Sequence, residues 1–397
     1  MNKIRFGIVG MGVIGNLHAR QITGANSRQF ALAAVADIVP EVAEKAGETY
    51  DVASFNDGVE MYDSGLIDAV LIATPHYWHP PLGIEAARRK IHVLCEKPLG
   101  SAVGPARAMI AECKKNKVAM GAMLMQRTRA VMVKLKKLVD DGLIGDIFRV
   151  EMICSNWYRT QAYYDSGAWR GTWDGEGGGV LLNQAPHSLD LFQWIGGMPK
   201  RLNATLATRA HRIEVENTAN IVCEYDTPGK VGYIYATTAQ LPGVERLTLV
   251  GNKGTLIAEG GTIQHGKLSL SITDHLAQSV AASADHIPHP KATWRDVAVP
   301  AHPDGRHINV TRAFARHILK GTPMIVTGEE AVNELEISNA AYLSGFEGDA
   351  VELPVDAAKV DRLLARLERQ RSTGKGQGMR KKADAAMKKL MRKNRKK

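Results

Sequence analysis

Cysteine is scarce in this chain. Its four copies, Cys95, Cys113, Cys154 and Cys223, form no C-x-x-C pair. That excludes a spaced thiolate metal motif and leaves no disulfide framework to read, so buried reduced thiols in a cytoplasmic protein are expected. Long apolar runs are missing too, and no segment is expected to span a membrane. The opening MNKIRFGIVGMGVIG has basic residues and then an apolar run, as an export signal does. Glycines interrupt that run and no small-residue cleavage site follows, so it reads as a strand. An even spread of charge is also lacking. The formal charge is +10, but residues 371–397 hold 12 Lys/Arg against one acid, Asp384, while residues 1–370 hold 39 Lys/Arg against 40 Asp/Glu. The body is therefore near neutral, and the basicity gives no reason for it to bind nucleic acid.

What is present is a regular alternation. Apolar strand-like runs at 4–10, 30–37, 69–74, 92–96 and 118–123 are separated by helical patterns at 13–22, 40–49, 80–90 and 103–116. Strand and helix in turn predict a doubly wound parallel sheet. Near Met125 the texture changes. A helix over 129–141 is followed by DIFRVEMICSNW and then by NIVCEYD, VGYIYATTAQ, RLTLVG and GTLIAEGG, with turn residues between them. These predict a largely antiparallel open sheet in an α+β domain, closed by a helix over 329–345. The 397 residues suit two domains. The division expected is 1–124, 125–355, and 356–397 as a helix with a basic, mobile tail. The tail has no sustained apolar pattern, and its MKKLM segment puts only Met387, Leu390 and Met391 on one face. It is the one place where RNA or anionic lipid could be held.

GMGVIG, residues 10–15, lies between the first strand and first helix, and Asp37 ends the next strand 22 residues after Gly15. This is a dinucleotide fingerprint. Gly10 makes the turn, Gly12 lets a pyrophosphate approach, and Gly15 lets helix and strand touch. Val13 and Ile14 open a helix whose free N–H groups suit an anion. Asp37 can accept from a ribose 2′-hydroxyl and would repel a 2′-phosphate, so NAD is expected.

GMGVIG, ATPHYWH at 73–79, CEKP at 95–98 and EGGGVLLNQAPHSLD at 176–190 together resemble the glucose–fructose oxidoreductase/inositol dehydrogenase (Gfo/Idh/MocA) family. The resemblance implies an N-terminal Rossmann unit and an NAD-dependent hydride transfer. It places Lys97 beside the nicotinamide and the reacting hydroxyl, with His187 as the second catalytic group. Thr74, Pro75, His79, Glu96, Trp169 and Arg170 are expected around the cofactor. Where the family commonly has an acid four residues before the histidine, this chain has Asn183, which cannot take a proton. His76 and His79 come with no matched acid or cysteine cluster, nor does DHIPHP at 285–290, so no metal is expected.

Phe, Trp and Tyr make up only 6% of the chain, yet Trp157, Tyr158, Tyr163, Tyr164, Trp169 and Trp173 crowd into 156–179 with Arg159 and Arg170. Such a loop suits a sugar ring, and Trp157 and Trp173 could equally pack between subunits. Arg159, Tyr163, Arg170 and Asn183, with Lys97 and His187, are the expected substrate contacts. The expected substrate is a sugar, glycoside or cyclitol oxidised at a ring secondary hydroxyl, C3 being preferred by resemblance. One alternative is a redox-neutral enzyme that returns the hydride after cleaving or isomerising a keto-sugar. Another is a non-catalytic NAD-sensing regulator, against which Lys97 and His187 count. A homo-oligomer, dimer or tetramer, is expected from the open sheet face.

Overall fold

A computed structural model describes residues 3–283, 287–301, 305–376 and 378–394. Of DHIPHP, Asp285 and His286 lie outside these. The first sheet has six strands: β1 (Ile4–Val9), β2 (Phe30–Ala36), β3 (Ala53–Phe55), β4 (Ala69–Ile72), β5 (His92–Cys95) and β6 (Met120–Ala122). Their order is 3-2-1-4-5-6 and every pairing is parallel. The chain turns one way from β1 to β2 and the other way to β4. The carboxyl ends of β1, β4 and β5 therefore meet at a crevice, where open parallel sheets bind ligands. β4 is buried on both faces, as its unbroken apolar run requires. All four cysteines are buried and free.

The second sheet has nine strands: β7 (Ile147–Cys154), β8 (Arg201–Ala207), β9 (Thr218–Glu224), β10 (Val231–Thr237), β11 (Glu245–Gly251), β12 (Gly254–Glu259), β13 (Thr262–Leu268), β14 (Ala292–Val297) and β15 (Val351–Glu352). Every pairing is antiparallel except β10 with β7. Strands β8 and β9 alternate buried and exposed residues, the mark of a sheet with one covered face. The helices Pro186–Gly196 and Gly328–Glu347 cover that face. On the other face Val222 and Tyr233 remain exposed. Among the described residues no helix is long and apolar enough to cross a membrane.

Within the tail expected to be mobile, the described residues include a helix. Met379–Asn394 is a helix packed on the helix His79–Arg88 and on the turn His76–Trp78. Ala383 and Leu390 are buried and Met387 packs on the core. The spacing of these three residues gives a narrow apolar stripe, enough for a helix that lies on a ready-made surface. Met391, expected on that face, is 46% exposed. Before the helix, the chain crosses behind the aromatic loop. Thr373 donates its N–H and hydroxyl to Glu214, both at 2.6 Å, and Lys375 Nζ donates to the Tyr164 carbonyl at 2.6 Å. The Gly378 and Arg380 N–H groups donate to the Asp174 carboxylate at 2.5 and 3.2 Å. Arg380 Nε then pairs with Glu368 at 2.7 Å.

Candidate active site

β1 hands the chain to a turn in which Gly10 has φ +91°. A Cβ on Gly15 would lie 1.9 Å from the Gly10 carbonyl oxygen, so only glycine lets the helix Val13–Gly24 sit this close to the strand. A Cβ on Gly12 would meet nothing within 4 Å. The space there is open, and no side chain caps the helix. Val13 is exposed and Ile14 half-buried. An uncapped N-terminus beside open space fits a pyrophosphate. The Asp37 carboxylate accepts from the Met11 N–H at 2.8 Å and the Val39 N–H at 3.0 Å, which ties the β2 end to the turn. Thr74 Oγ1, at the end of β4, is buried with no partner, which a ligand hydroxyl or phosphate oxygen would satisfy. The residues present thus fit a dinucleotide. Asp37→Ser is predicted to weaken NAD binding and raise the NADP-to-NAD preference. Titration of both cofactors checks this, and a wild-type preference for NADP would overturn the ribose role of Asp37.

Three of the expected cofactor residues act from behind or beside the crevice. His79 is buried, with Nδ1 2.8 Å from the Pro98 carbonyl and Nε2 2.7 Å from the Thr74 carbonyl. It bridges the loops after β4 and β5. Glu96 is also buried, and its carboxylate meets His18 Nε2 at 2.7 Å and the Lys97 N–H at 3.1 Å. Burial pushes this acid up, but the His18 bond and charge outweigh it and hold Glu96 down at about 2. Glu96 and His79 thus aim the loop, whose Lys97–Pro98 peptide is cis. Pro75 precedes the turn His76–Trp78 and is half-buried.

Lys97 leaves the end of β5 and donates its Nζ to the Asn183 carbonyl at 2.7 Å. Asn183 ends the short helix Val180–Asn183, and His187 lies in the first turn of Pro186–Gly196. Gly179 before them is tightly held. A Cβ there would lie 1.7 Å from the Glu216 carbonyl oxygen, and its N–H donates to the buried Glu216 carboxylate. Burial, with Lys97 beside it, holds His187 down at about 3, so it is neutral at neutral pH. Its Nδ1 is buried with no partner. Burial also lowers the Lys97 ammonium, against the pull of Glu96, Glu334 and Glu176. Asp190, three residues after His187, belongs to the scaffold, because Arg127 grips it at 2.8 and 2.7 Å.

The aromatic loop, with its short helix Gln161–Asp165, divides into site and scaffold. Arg159 and Arg170 each lie 4.5 Å from the Tyr163 ring centre. Arg170 also bonds the Tyr163 hydroxyl at 2.6 Å and lies 4.6 Å from the Trp169 ring, which meets His76 edge-on. Trp157 is half-buried with the Arg159 guanidinium 5.5 Å away. Trp173 is instead 1% exposed, edge-on to Tyr342 and Phe346, with its Nε1 on the Glu214 carbonyl at 2.9 Å. It belongs to the core of its own chain, not to substrate or a neighbour.

Sequence reasoning missed two residues here. Gln184 donates to the Tyr163 hydroxyl at 3.2 Å and leaves its Oε1 buried and unpartnered. Glu176 is a buried carboxyl bonded to the Asn183 amide. Glu176 carries no signal of its own beside the three glycines that follow it, whereas the Asn in NQAPH, where an acid is common, is a signal for an acid placed elsewhere. Among the described residues no group of His, Cys, Asp and Glu is arranged to hold a metal.

A fingerprint loop at a parallel-sheet crevice, facing a lysine and a neutral histidine, defines a dinucleotide-dependent oxidoreductase. Residues 4–123 match the oxidoreductase family with an NAD-binding Rossmann fold, and residues 132–257 match the GFO/IDH/MocA C-terminal domain. The chain belongs to the GFO/IDH/MocA oxidoreductase family and binds NAD through its Rossmann fold. An inositol 2-dehydrogenase of Rhizobium meliloti is 26% identical over 87% of this chain and 97% of its own length. A 2,7-anhydro-N-acetylneuraminate hydratase of Mediterraneibacter gnavus is 28% identical over 54% of this chain and 55% of its own. The WlbA dehydrogenase of Chromobacterium violaceum, solved with NADH and UDP-GlcNAcA, is 27% identical with a TM-score of 0.76, over 90% of this chain and 97% of that one.

Proposed function

We propose that this NAD-binding oxidoreductase oxidises a ring secondary hydroxyl of a sugar, glycoside or cyclitol, with Lys97 and His187 at the reaction centre. One observation carries the reading. Arg159 Nε, Gln184 Oε1 and His187 Nδ1 are buried polar atoms without partners, and all belong to the residues around Lys97 and Tyr163. Burying such atoms unpaired is costly, and a ring bearing several hydroxyls would pair them. NAD supplies the hydride acceptor. Neutral His187 takes the proton of the reacting alcohol, and Lys97 donates a hydrogen bond to its oxygen. Arg159, Tyr163, Arg170, Asn183 and Gln184 hold the neighbouring hydroxyls, and the Trp169 and Tyr163 faces cover C–H groups. Thr74, Pro75 and Trp169 flank the nicotinamide end. The uncovered face with Val222 and Tyr233 supports a homo-oligomer joined through the second sheet.

The test is incubation with NAD and a panel of methyl pyranosides, free sugars and inositols, reading NADH and locating the new carbonyl by NMR. A ketone on a ring carbon, with C3 first among the pyranosides, is expected. Oxidation confined to the anomeric carbon of free sugars, with glycosides and inositols inert, would overturn the reading. The hydratase relative favours a second one, in which the hydride is returned. That reading requires product without net NADH.

A further inference from the structure

Glu176 has no part in the reaction as described, yet it lies against the residues that do. It is 1% exposed. One carboxylate oxygen accepts from the Gly171 N–H at 2.7 Å, and the other from the Asn183 side-chain amide. Its backbone carbonyl accepts from Ser101 Oγ at 3.0 Å and faces His76 Nδ1 at 3.1 Å. Asn183 in turn offers its own carbonyl to Lys97 Nζ. The loop, the short helix and the end of β5 are thus joined through one acid.

The chemistry of the pair is directional. An ionised carboxylate only accepts, so the Asn183 amide must turn its NH2 toward Glu176. Its Oδ1 then points the other way, as a fixed acceptor. We propose that Glu176 is a positioning residue for the oxidation: it holds Asn183 Oδ1 ready to accept from a substrate hydroxyl, and it supplies beside Lys97 the negative charge that position 183 lacks. This rests on the reading under Proposed function.

The charged and titratable groups around the pair come from several elements. Arg170, Tyr163 and Tyr164 face Glu176 from its own loop, Lys97 from the β5 end and Tyr342 from the helix Gly328–Glu347. Lys97 also faces Glu96, Glu334 and Arg159. Burial pushes the Glu176 carboxyl up to about 7, against the Gly171 and Asn183 bonds and the charges of Arg170 and Lys97. A protonated Glu176 can donate, which releases the amide and removes the charge. Activity should therefore rise with pH through the neutral range.

The experiment compares wild type, E176Q and the double variant E176Q/N183D, which moves the carboxylate to position 183. The wild-type kcat/KM should fall on the acid side with a midpoint near 7. E176Q should lose that limb and up to about a hundredfold in kcat, with NAD affinity kept. The double variant should regain most of the loss. An unmoved acid limb in E176Q, with only a lower melting temperature, would make Glu176 merely structural and overturn the inference. A readout without turnover separates this from the functional reading. In the NAD-bound full chain, the ¹⁵N resonance of the Asn183 side-chain amide should titrate near pH 7 and become flat in E176Q. A flat wild-type titration overturns the inference whatever is oxidised, whereas a silent substrate panel overturns only the proposed function.

Discussion

Lys97→Met is expected to lower kcat by about two to four orders of magnitude while NAD affinity stays within a few fold. Methionine keeps most of the length and apolar stem of lysine, so the cleft walls should hold. What disappears is the Nζ donor, which bonds the Asn183 carbonyl at 2.7 Å and is aimed by the Glu96 loop. Without it the reacting oxygen loses its donor, and His187 loses the nearby charge that helps to keep it neutral. The pyrophosphate turn at Gly10, Gly12 and Gly15 is untouched, which is why binding and chemistry should separate. NADH formation gives kcat, and calorimetric titration gives the NAD affinity. Turnover near wild type would remove Lys97 from the reaction, and a collapse of NAD binding would give it a different role.

Ending the chain at Arg371 is expected to destabilise the enzyme by roughly 3 kcal/mol or more, from the lost burial of Leu390 and Met387 and the lost donors to Asp174. The melting temperature should fall by roughly 4 °C or more. The damage should also reach the site. Asp174 lies within the segment that carries Trp169, Arg170 and Glu176, Glu214 accepts from its Trp173 N–H, and both carboxylates also take donors from Thr373, Gly378 or Arg380. KM for the sugar should therefore rise more than KM for NAD. Calorimetry with steady-state kinetics on the truncated chain checks both, and an unchanged melting temperature with unchanged KM would show the docked tail to be idle.

The sequence alone suggested the opposite outcome for that truncation, and the reason is physical. The tail helix has a thin stripe of Ala383, Met387 and Leu390 among many lysines, too weak to predict packing by itself. Its partners are distant in sequence: Arg88 donates to the Leu390 carbonyl across 302 residues. The same limit hid Gln184, whose neighbours Tyr163 and Arg170 lie on another segment. It also blurred Trp173, since an aromatic-rich loop looks the same whether a ring covers a sugar or fills a core. The cofactor turn was legible because its chemistry is local: three glycines, a strand, a helix and one acid at a fixed distance. That Lys97 and His187 come close together was legible through short motifs, and the alternation of β1 to β6 through strong period and length signals. His18, which holds Glu96, carried no signal in the sequence at all.

The clasp of residues 373–380 over Asp174 and Glu214 sets an order on biosynthesis. As the chain leaves the ribosome, the pyrophosphate turn emerges first, then Lys97, then Glu176 and His187, and the clasp last. A nascent chain can thus assemble its nucleotide crevice while the aromatic loop still lacks its rear support. Final maturation of that loop waits for translation to pass Arg380, and a protein fused behind Asn394 would start from the surface beside the His79–Arg88 helix.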